Sequence, residues 1–260
     1  MIVFPNAKIN IGLYVVEKRN DGFHNIESVF YPVPELYDVL EIVKNEKGEG
    51  AEFTFSGIAI PGEQHDNLCV RAYQLLKNDF SISAVKIHLH KVIPIGAGLG
   101  GGSSDAAFTL KALNSLFELK LSKEQLVDYA KQLGSDCAFF IANQPVYAYN
   151  KGDDFKNIEL DLSSYEIKII YPEIHIETAE AYAGVKPKIT TSHLIDIIKQ
   201  PVEKWKNQIK NDFEESIFLN HPEIQQLKQK MYDEGAVYAS MTGSGSAVYG
   251  FYKKTLQIPQ

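Results

Sequence analysis

With 260 residues the chain has enough length for two hydrophobic cores, so a two-lobed molecule is expected. A hydrophobic fraction of 45% and a charged fraction of 23% are those of an ordinary globular protein, and a net charge of −7 argues against a nucleic-acid binder, which would carry a basic surplus. No apolar run reaches membrane-spanning length, the first residues lack a signal-peptide pattern, and two cysteines, Cys69 and Cys137, are too few for a disulfide framework or a thiolate metal site, so a cytoplasmic protein without a membrane partner is expected.

The segment Ala7 to Val16 alternates strictly, placing Ile9, Ile11, Leu13 and Val15 toward a core and Lys8, Asn10, Gly12 and Tyr14 on the opposite face. Asn20-Asp21-Gly22 is a turn signal, and the β-rich run Ile26 to Val33 after it predicts a hairpin. Short strands follow at Val39 to Val43 and Glu52 to Ser56, and Asp66-Asn67 reads as the cap of a helix reaching about Asn78. Val85 to His90 alternates again and leads into a glycine-rich stretch, beyond which Asp105 to Phe117 is helix-forming. Ser122-Lys123-Glu124-Gln125 has capping-box spacing and opens a helix to about Leu133, and Gly134-Ser135-Asp136 breaks it before the apolar Cys137 to Ile141.

The polar, turn-rich Asn150 to Asp154 is the candidate boundary between an N-terminal lobe, 1–150, and a C-terminal lobe, 151–260. Beyond it the sequence predicts a strand from Ile167 to Tyr171, a helix capped near Thr178, and helical runs beginning near Ser192 and Pro222. Val237 to Met241, the turn Thr242 to Ser246 and the strand Ala247 to Tyr252 close the chain. No internal repeat or low-complexity segment is present.

Five glycines fall within residues 96–102, and no packing requirement asks for so many missing side chains. They suit a backbone that wraps a ligand and presents N–H groups to it, and the positive end of the helix that follows favours phosphate. A Walker-type loop requires Gly-Lys-Ser/Thr, and Gly102 is followed by Ser103-Ser104 without lysine. The dinucleotide pattern G-x-G-x-x-G is formally present at Gly96, Gly98 and Gly101, with Glu118 as an available acid. The preceding strand, however, places Lys86, His88 and His90 on one face, which suits an antiparallel sheet with a wet side better than a doubly buried parallel strand.

The order Pro94, Gly98-Leu99-Gly100-Gly101-Gly102-Ser103-Ser104, Ala106-Ala107 resembles the phosphate loop of the GHMP kinase superfamily (galactokinase, homoserine, mevalonate and phosphomevalonate kinases). Pro5 to Asn10, Arg19 to His24, Leu133 to Asp136 and Met241 to Gly245 are similar to further motifs of that superfamily, so the likeness spans positions 5 to 245. The resemblance implies an α+β fold of two lobes, the first ribosomal-protein-S5-like and the second ferredoxin-like, with the active site in the cleft. It implies a kinase using ATP and Mg²⁺. Within the superfamily the triple glycine followed by Ser-Ser-Asp-Ala-Ala looks most like the branch whose acceptor is a cytidine diphosphate-linked methylerythritol, phosphorylated on its 2-hydroxyl in the non-mevalonate isoprenoid route. Another small-molecule kinase of the superfamily, a catalytically silent nucleotide-binding module and, more remotely, a nicotinamide dehydrogenase are the alternatives.

By this resemblance Pro94, Ile95, Gly96, Ala97, Gly98, Leu99, Gly100, Gly101, Gly102, Ser103 and Ser104 bind ATP, one of the two serines donating to phosphate or contacting the metal. Asp136 is the general base and Lys8 its charged neighbour, while Asn10, Phe23, His24 and Tyr182 bind the acceptor: His24 at the cytosine edge, Phe23 and Tyr182 as aromatic surfaces. Position 23 carries Phe where the family usually has Tyr. Gly243-Ser244-Gly245 braces the phosphate loop. Taken singly, Lys8 reads as a solvated strand lysine, Asp136 as a cap and His24 as a surface residue; their joint occurrence at family spacing supports the functional reading. Phe30 reads as pocket or core, His88 and His90 as the exposed face of a strand, and Cys137 as a small buried hydrophobe.

Overall fold

Residues 1–188 and 194–254 are described by a computed structural model of the chain. A two-residue strand, β1 (Ile2–Val3), precedes two long ones, β2 (Asn6–Lys18) and β3 (His24–Tyr37), joined through the expected turn at 20–22. By internal contacts the chain divides into two compact units, one comprising 1–8, 32–95 and 100–144, the other 9–31, 96–99 and 145–260.

In the first unit, β4 (Val39–Lys44), β5 (Ala51–Gly57) and β6 (Val85–Lys91) join β1 in a sheet of order β1-β4-β6-β5. Val85, Ile87 and Leu89 are buried while Lys86 and His90 are exposed, so the wet face read from the alternation is present. The expected all-antiparallel pairing is corrected on one side: β6 is antiparallel to β4 but parallel to β5. The link from β5 to β6 contains the helix α1 (Leu68–Asp79), the kind of crossover a parallel pair needs. Its N-cap is Asn67, whose side chain accepts from the Cys69 N–H at 2.9 Å.

Helices α2 (Gly101–Leu116) and α3 (Lys123–Leu133) pack with α1, and α4 (Cys137–Ala142) packs against α2 and α3. The capping box before α3 is formed as expected, with the Ser122 hydroxyl accepting from the Gln125 N–H and the Gln125 side chain accepting from the Ser122 N–H; such a cap is worth about 1 kcal/mol. Helix α2 begins at Gly101, earlier than the Asp105 start expected. Glycine and serine are poor helix formers, but packing against β6 and its exit decides the start: a Cβ on Gly101 would lie 2.8 Å from Ile93 Cγ2.

In the second unit, β7 (Val146–Tyr149) and β8 (Asp154–Asn157) form a hairpin whose turn is the polar stretch at 150–153. With β2 and β3 they make a sheet of order β2-β3-β7-β8. Strands β9 (Tyr165–Ile170), β10 (Tyr238–Met241) and β11 (Val248–Lys253) form an antiparallel sheet of order β10-β11-β9, accompanied by α5 (Thr178–Ala183), α6 (Leu194–Ile197), α7 (Glu214–Asn220) and α8 (Pro222–Asp233). The helix start expected near Ser192 lies outside the described residues. The helix expected to be capped near Thr178 is α5, whose N-cap is Glu177. Leu13, Val15 and Ile26 share a core with Phe213, Ile217, Ile224, Met231, Met241 and Val248.

Strand β2 departs most from its half-buried reading. Its polar-face residues Lys8, Asn10 and Tyr14 are as buried as Ile9, Ile11 and Leu13. Burial of that face is tolerable because its polar groups have partners: Lys8 pairs with Asp136, Asn10 bonds Ser28, and the Tyr14 hydroxyl donates to the Gln208 carbonyl. Among the described residues no helix is long and apolar enough to cross a membrane.

Candidate active site

The glycine stretch is a set of separate backbone requirements. Gly100 is the N-cap of α2 at φ +71°, and a Cβ there would stand 3.1 Å from Lys8 Cε and Cγ and from Phe140 Cζ. Having no side chain, it offers no cap to the first-turn N–H groups of this 16-residue helix, which are left to bind an anion. Gly102 differs: the nearest atom to a Cβ on it is Leu68 Cδ1 at 3.9 Å, so protein packing does not demand glycine there. The Ser104 hydroxyl is fully buried without a hydrogen-bond partner, whereas Ser103 is only partly buried and hydrogen-bonds Cys137.

In the same unit, Lys8 Nζ lies 3.2 Å from Asp136 Oδ2, the lysine side chain 4% exposed and the aspartate 32%. Asp136 occupies the N-cap of α4, but its carboxylate makes no capping hydrogen bond. The turn Gly134-Ser135-Asp136 therefore leaves the carboxylate to the ammonium, its side chain partly exposed. Asn6 and Asn143 exchange side-chain hydrogen bonds at 2.7 and 3.2 Å beside this turn of chain. Cys137, next to Asp136, is buried, and burial pushes its thiol up to about 11, so it is an inert packing residue at neutral pH.

The second unit holds residues 96–99 against the closing turn, as the brace read from Gly243-Ser244-Gly245 implies. A Cβ on Gly98, at φ +81°, would collide with the Thr242 carbonyl oxygen, and one on Gly245 would collide with the Ala97 carbonyl carbon. The Thr242 hydroxyl donates to the Gly98 carbonyl at 3.2 Å and accepts from the Asn10 N–H at 3.0 Å. Asn10 Nδ2 donates to the Ser28 hydroxyl at 2.9 Å, which donates to the Gly12 carbonyl at 2.6 Å. The Tyr249 hydroxyl donates to the Asn10 carbonyl at 2.8 Å. Thr242, Ser28 and Tyr249 escaped the sequence reading because a hydroxyl on a strand or turn has no spacing that announces its partner. His175 escaped it too; its Nδ1 would be 2.9 Å from a Cβ on Gly96.

His24 and Tyr182 are brought together as parallel rings, with centroids 4.6 Å apart and planes 21° from parallel, and Tyr182 rests edge-on against Phe213. Burial, helped by Lys18, lowers the His24 pKa, which keeps the imidazole neutral at pH 7 and able to accept as well as donate. Phe23 is 58% exposed, with Lys151 Nζ 5.6 Å from its ring centroid. Phe30 is buried and packs against Phe155, a core position. His88 shares hydrogen bonds with the Thr54 and Ser56 hydroxyls, and His90 with Ser56. Among the described residues no group of three or more His, Cys, Asp or Glu side chains is arranged to hold a metal ion.

Residues 67–149 match the GHMP kinases N terminal domain and residues 196–258 match the GHMP kinases C terminal domain. The chain is 53% identical over 255 residues to 4-diphosphocytidyl-2-C-methyl-D-erythritol kinase of Azobacteroides pseudotrichonymphae, covering 98% of this chain and 94% of the relative. It is 50% identical over 262 residues to the kinase of the same name from Bacteroides thetaiotaomicron, covering 100% and 95%. A solved 4-(cytidine 5'-diphospho)-2C-methyl-D-erythritol kinase superposes with a TM-score of 0.79 at 29% identity, over 96% of this chain and 89% of the other. Matches of this extent place it plainly: the chain belongs to the GHMP kinase family.

Proposed function

We propose that the chain transfers the γ-phosphoryl group of ATP to the 2-hydroxyl of 4-diphosphocytidyl-2-C-methyl-D-erythritol. The observation that carries this reading is the identity of 53% and 50%, over essentially the whole chain, to kinases that bear that substrate in their names. As a member of a kinase family it uses ATP. Residues 96–104 grip the triphosphate through backbone N–H groups, with the Ser103 hydroxyl as an added donor. These features suit a Mg²⁺-nucleotide, the ion arriving on the phosphates and supplying charge neutralisation there.

Phosphoryl transfer asks the protein for position and charge more than for covalent chemistry. Asp136 takes the proton of the acceptor hydroxyl as its oxygen bonds to the γ-phosphorus and the bond to the β–γ bridging oxygen breaks, releasing ADP. Lys8, 3.2 Å from that carboxylate, orients it and offers its ammonium to negative charge on the transferred group. Asn10, already anchored through Ser28 and Thr242, bonds the acceptor. Neutral His24 reads the cytosine edge, and the aromatic faces of Tyr182 and Phe23 receive the ring.

The lobes 1–150 and 151–260 belong to the same reading, supported by family matches that fall on either side of residue 150. A cytoplasmic location belongs to it as well, supported by two cysteines that are both free thiols. The test is ATP turnover with the cytidine-containing acceptor beside homoserine and phosphomevalonate. Turnover confined to the first is expected; turnover with another acceptor and none with the first would overturn the assignment.

A further inference from the structure

Lys91, the last residue of β6, is buried between two buried carboxylates. Its Nζ donates to Asp38 Oδ2 at 2.6 Å and to Asp105 Oδ2 at 2.7 Å. Asp38, between β3 and β4, uses its other oxygen to accept the N–H groups of Val92 at 2.6 Å and Ile93 at 2.8 Å, the residues that lead into the glycine loop. Asp105 lies in the first turns of α2, on the far side of that loop. Lys91 thus ties the chain entering the loop to the chain leaving it. The contact is close: a Cβ on Gly101 would stand 2.9 Å from Lys91 Nζ.

The charges do not balance, since one ammonium faces two carboxyl groups. Asp38 accepts three hydrogen bonds, so both of its oxygens are satisfied. Asp105 accepts one, and its Oδ1 is buried with no hydrogen-bond partner. An orphaned buried oxygen favours the neutral acid, and burial raises the Asp105 carboxyl to about 8. Cys69, the other titratable side chain facing this group, is itself raised by burial and stays a thiol.

We propose that Asp105 and Lys91 are positioning residues that clamp the two ends of the phosphate loop together and so set its affinity for ATP without touching the acceptor. The proposal rests on the reading of residues 96–104 as the triphosphate grip. A clamp of this kind costs nothing in the chemical step. Its loss enlarges the set of loop conformations, only some of which present their N–H groups together, and the apparent affinity falls by the competent fraction.

The experiment is steady-state kinetics of the full chain with each substrate varied in turn, together with equilibrium binding of ATP and thermal melting. Asp105→Ala is expected to raise the ATP KM about tenfold or more, the scale of a lost hydrogen bond to a charged group, with the acceptor KM and kcat near wild type. Asp105→Asn keeps the shape and neutrality of the protonated acid and is expected to restore the ATP KM. Should the alanine variant not fold, Asp105→Leu, which fills the space without the polar contact, is expected to show the same selective loss of ATP affinity. A folded Asp105→Asn protein with the ATP KM of a loss variant, or loss variants that change both KM values equally, overturn the clamp while leaving the kinase reading intact. A wild-type chain that binds no ATP overturns both.

Discussion

Gly102→Ala separates a ligand requirement from a packing requirement. Gly102 lies in the first turn of α2 without positive φ, and a new Cβ meets nothing nearer than Leu68 Cδ1 at 3.9 Å. In the unliganded protein the methyl group is therefore accommodated, and exchanging glycine for alanine inside a helix is worth about 0.5–1 kcal/mol. For a chain of this size that corresponds to a rise of roughly 1–4 °C in Tm. A helical Cβ tilts toward the N-terminus, which is where the triphosphate is held in the proposed complex. The same methyl group is then expected to weaken ATP about tenfold, roughly 1.4 kcal/mol. Melting of the free protein and titration with ATP measure the two effects on one sample. A raised Tm with unchanged ATP affinity would refute the argument that Gly102 is glycine for the sake of the phosphate.

Three other perturbations have expected outcomes. Gly98→Ala forces a side chain toward the Thr242 carbonyl at φ +81°; left-handed strain of about 1–2 kcal/mol and overpacking of about 1–3 kcal/mol add, so both Tm and ATP affinity fall, unlike in Gly102→Ala. His24→Ala removes the ring stacked on Tyr182 and is expected to raise the acceptor KM by about 2- to 12-fold, the worth of one hydrogen bond to the cytosine edge, with a smaller change for ATP; equal effects on both would remove His24 from the cytosine site. The Asp105 carboxyl is raised by burial to about 8, so between its ordinary value and 8 the folded state holds the extra proton. Its contribution to stability is complete at acid pH and is lost as pH rises through 8. Melting across that range is expected to show a decline that Asp105→Asn flattens; parallel curves would contradict it.

Much of the first unit was legible because its signals are local. Alternation gave β6, spacing gave the capping box of α3, and Asn67 marked the start of α1. The pairing of Lys8 with Asp136 followed from the resemblance, and spacing alone had no means to find it, because the two lie far apart in sequence. What stayed hidden was decided by tertiary packing. The start of α2 at Gly101 defies helix propensity because only glycine fits beside Ile93 and Lys91. Lys91 shares the buried face of β6 with Val85, Ile87 and Leu89, but nothing in its spacing announces Asp38 and Asp105 as its partners. Strand β2 looked half-buried because alternation reports only which residues share a face, not whether polar partners will cover the other one. The stacking of His24 on Tyr182 joins residues widely separated in sequence, and weak similarity alone had pointed to Tyr182.

Asp136→Asn tests the mechanism most directly, because the amide keeps the shape of the carboxylate while removing its basicity and the charge that faces Lys8. Burst and steady-state turnover should be measured beside ATP titration, with Tm as a check that Lys8, buried against this residue, still folds into place. A fall in kcat of about 10²- to 10⁴-fold with ATP affinity nearly unchanged is the expected result. Near-native turnover in the variant would show that Asp136 does not take the proton.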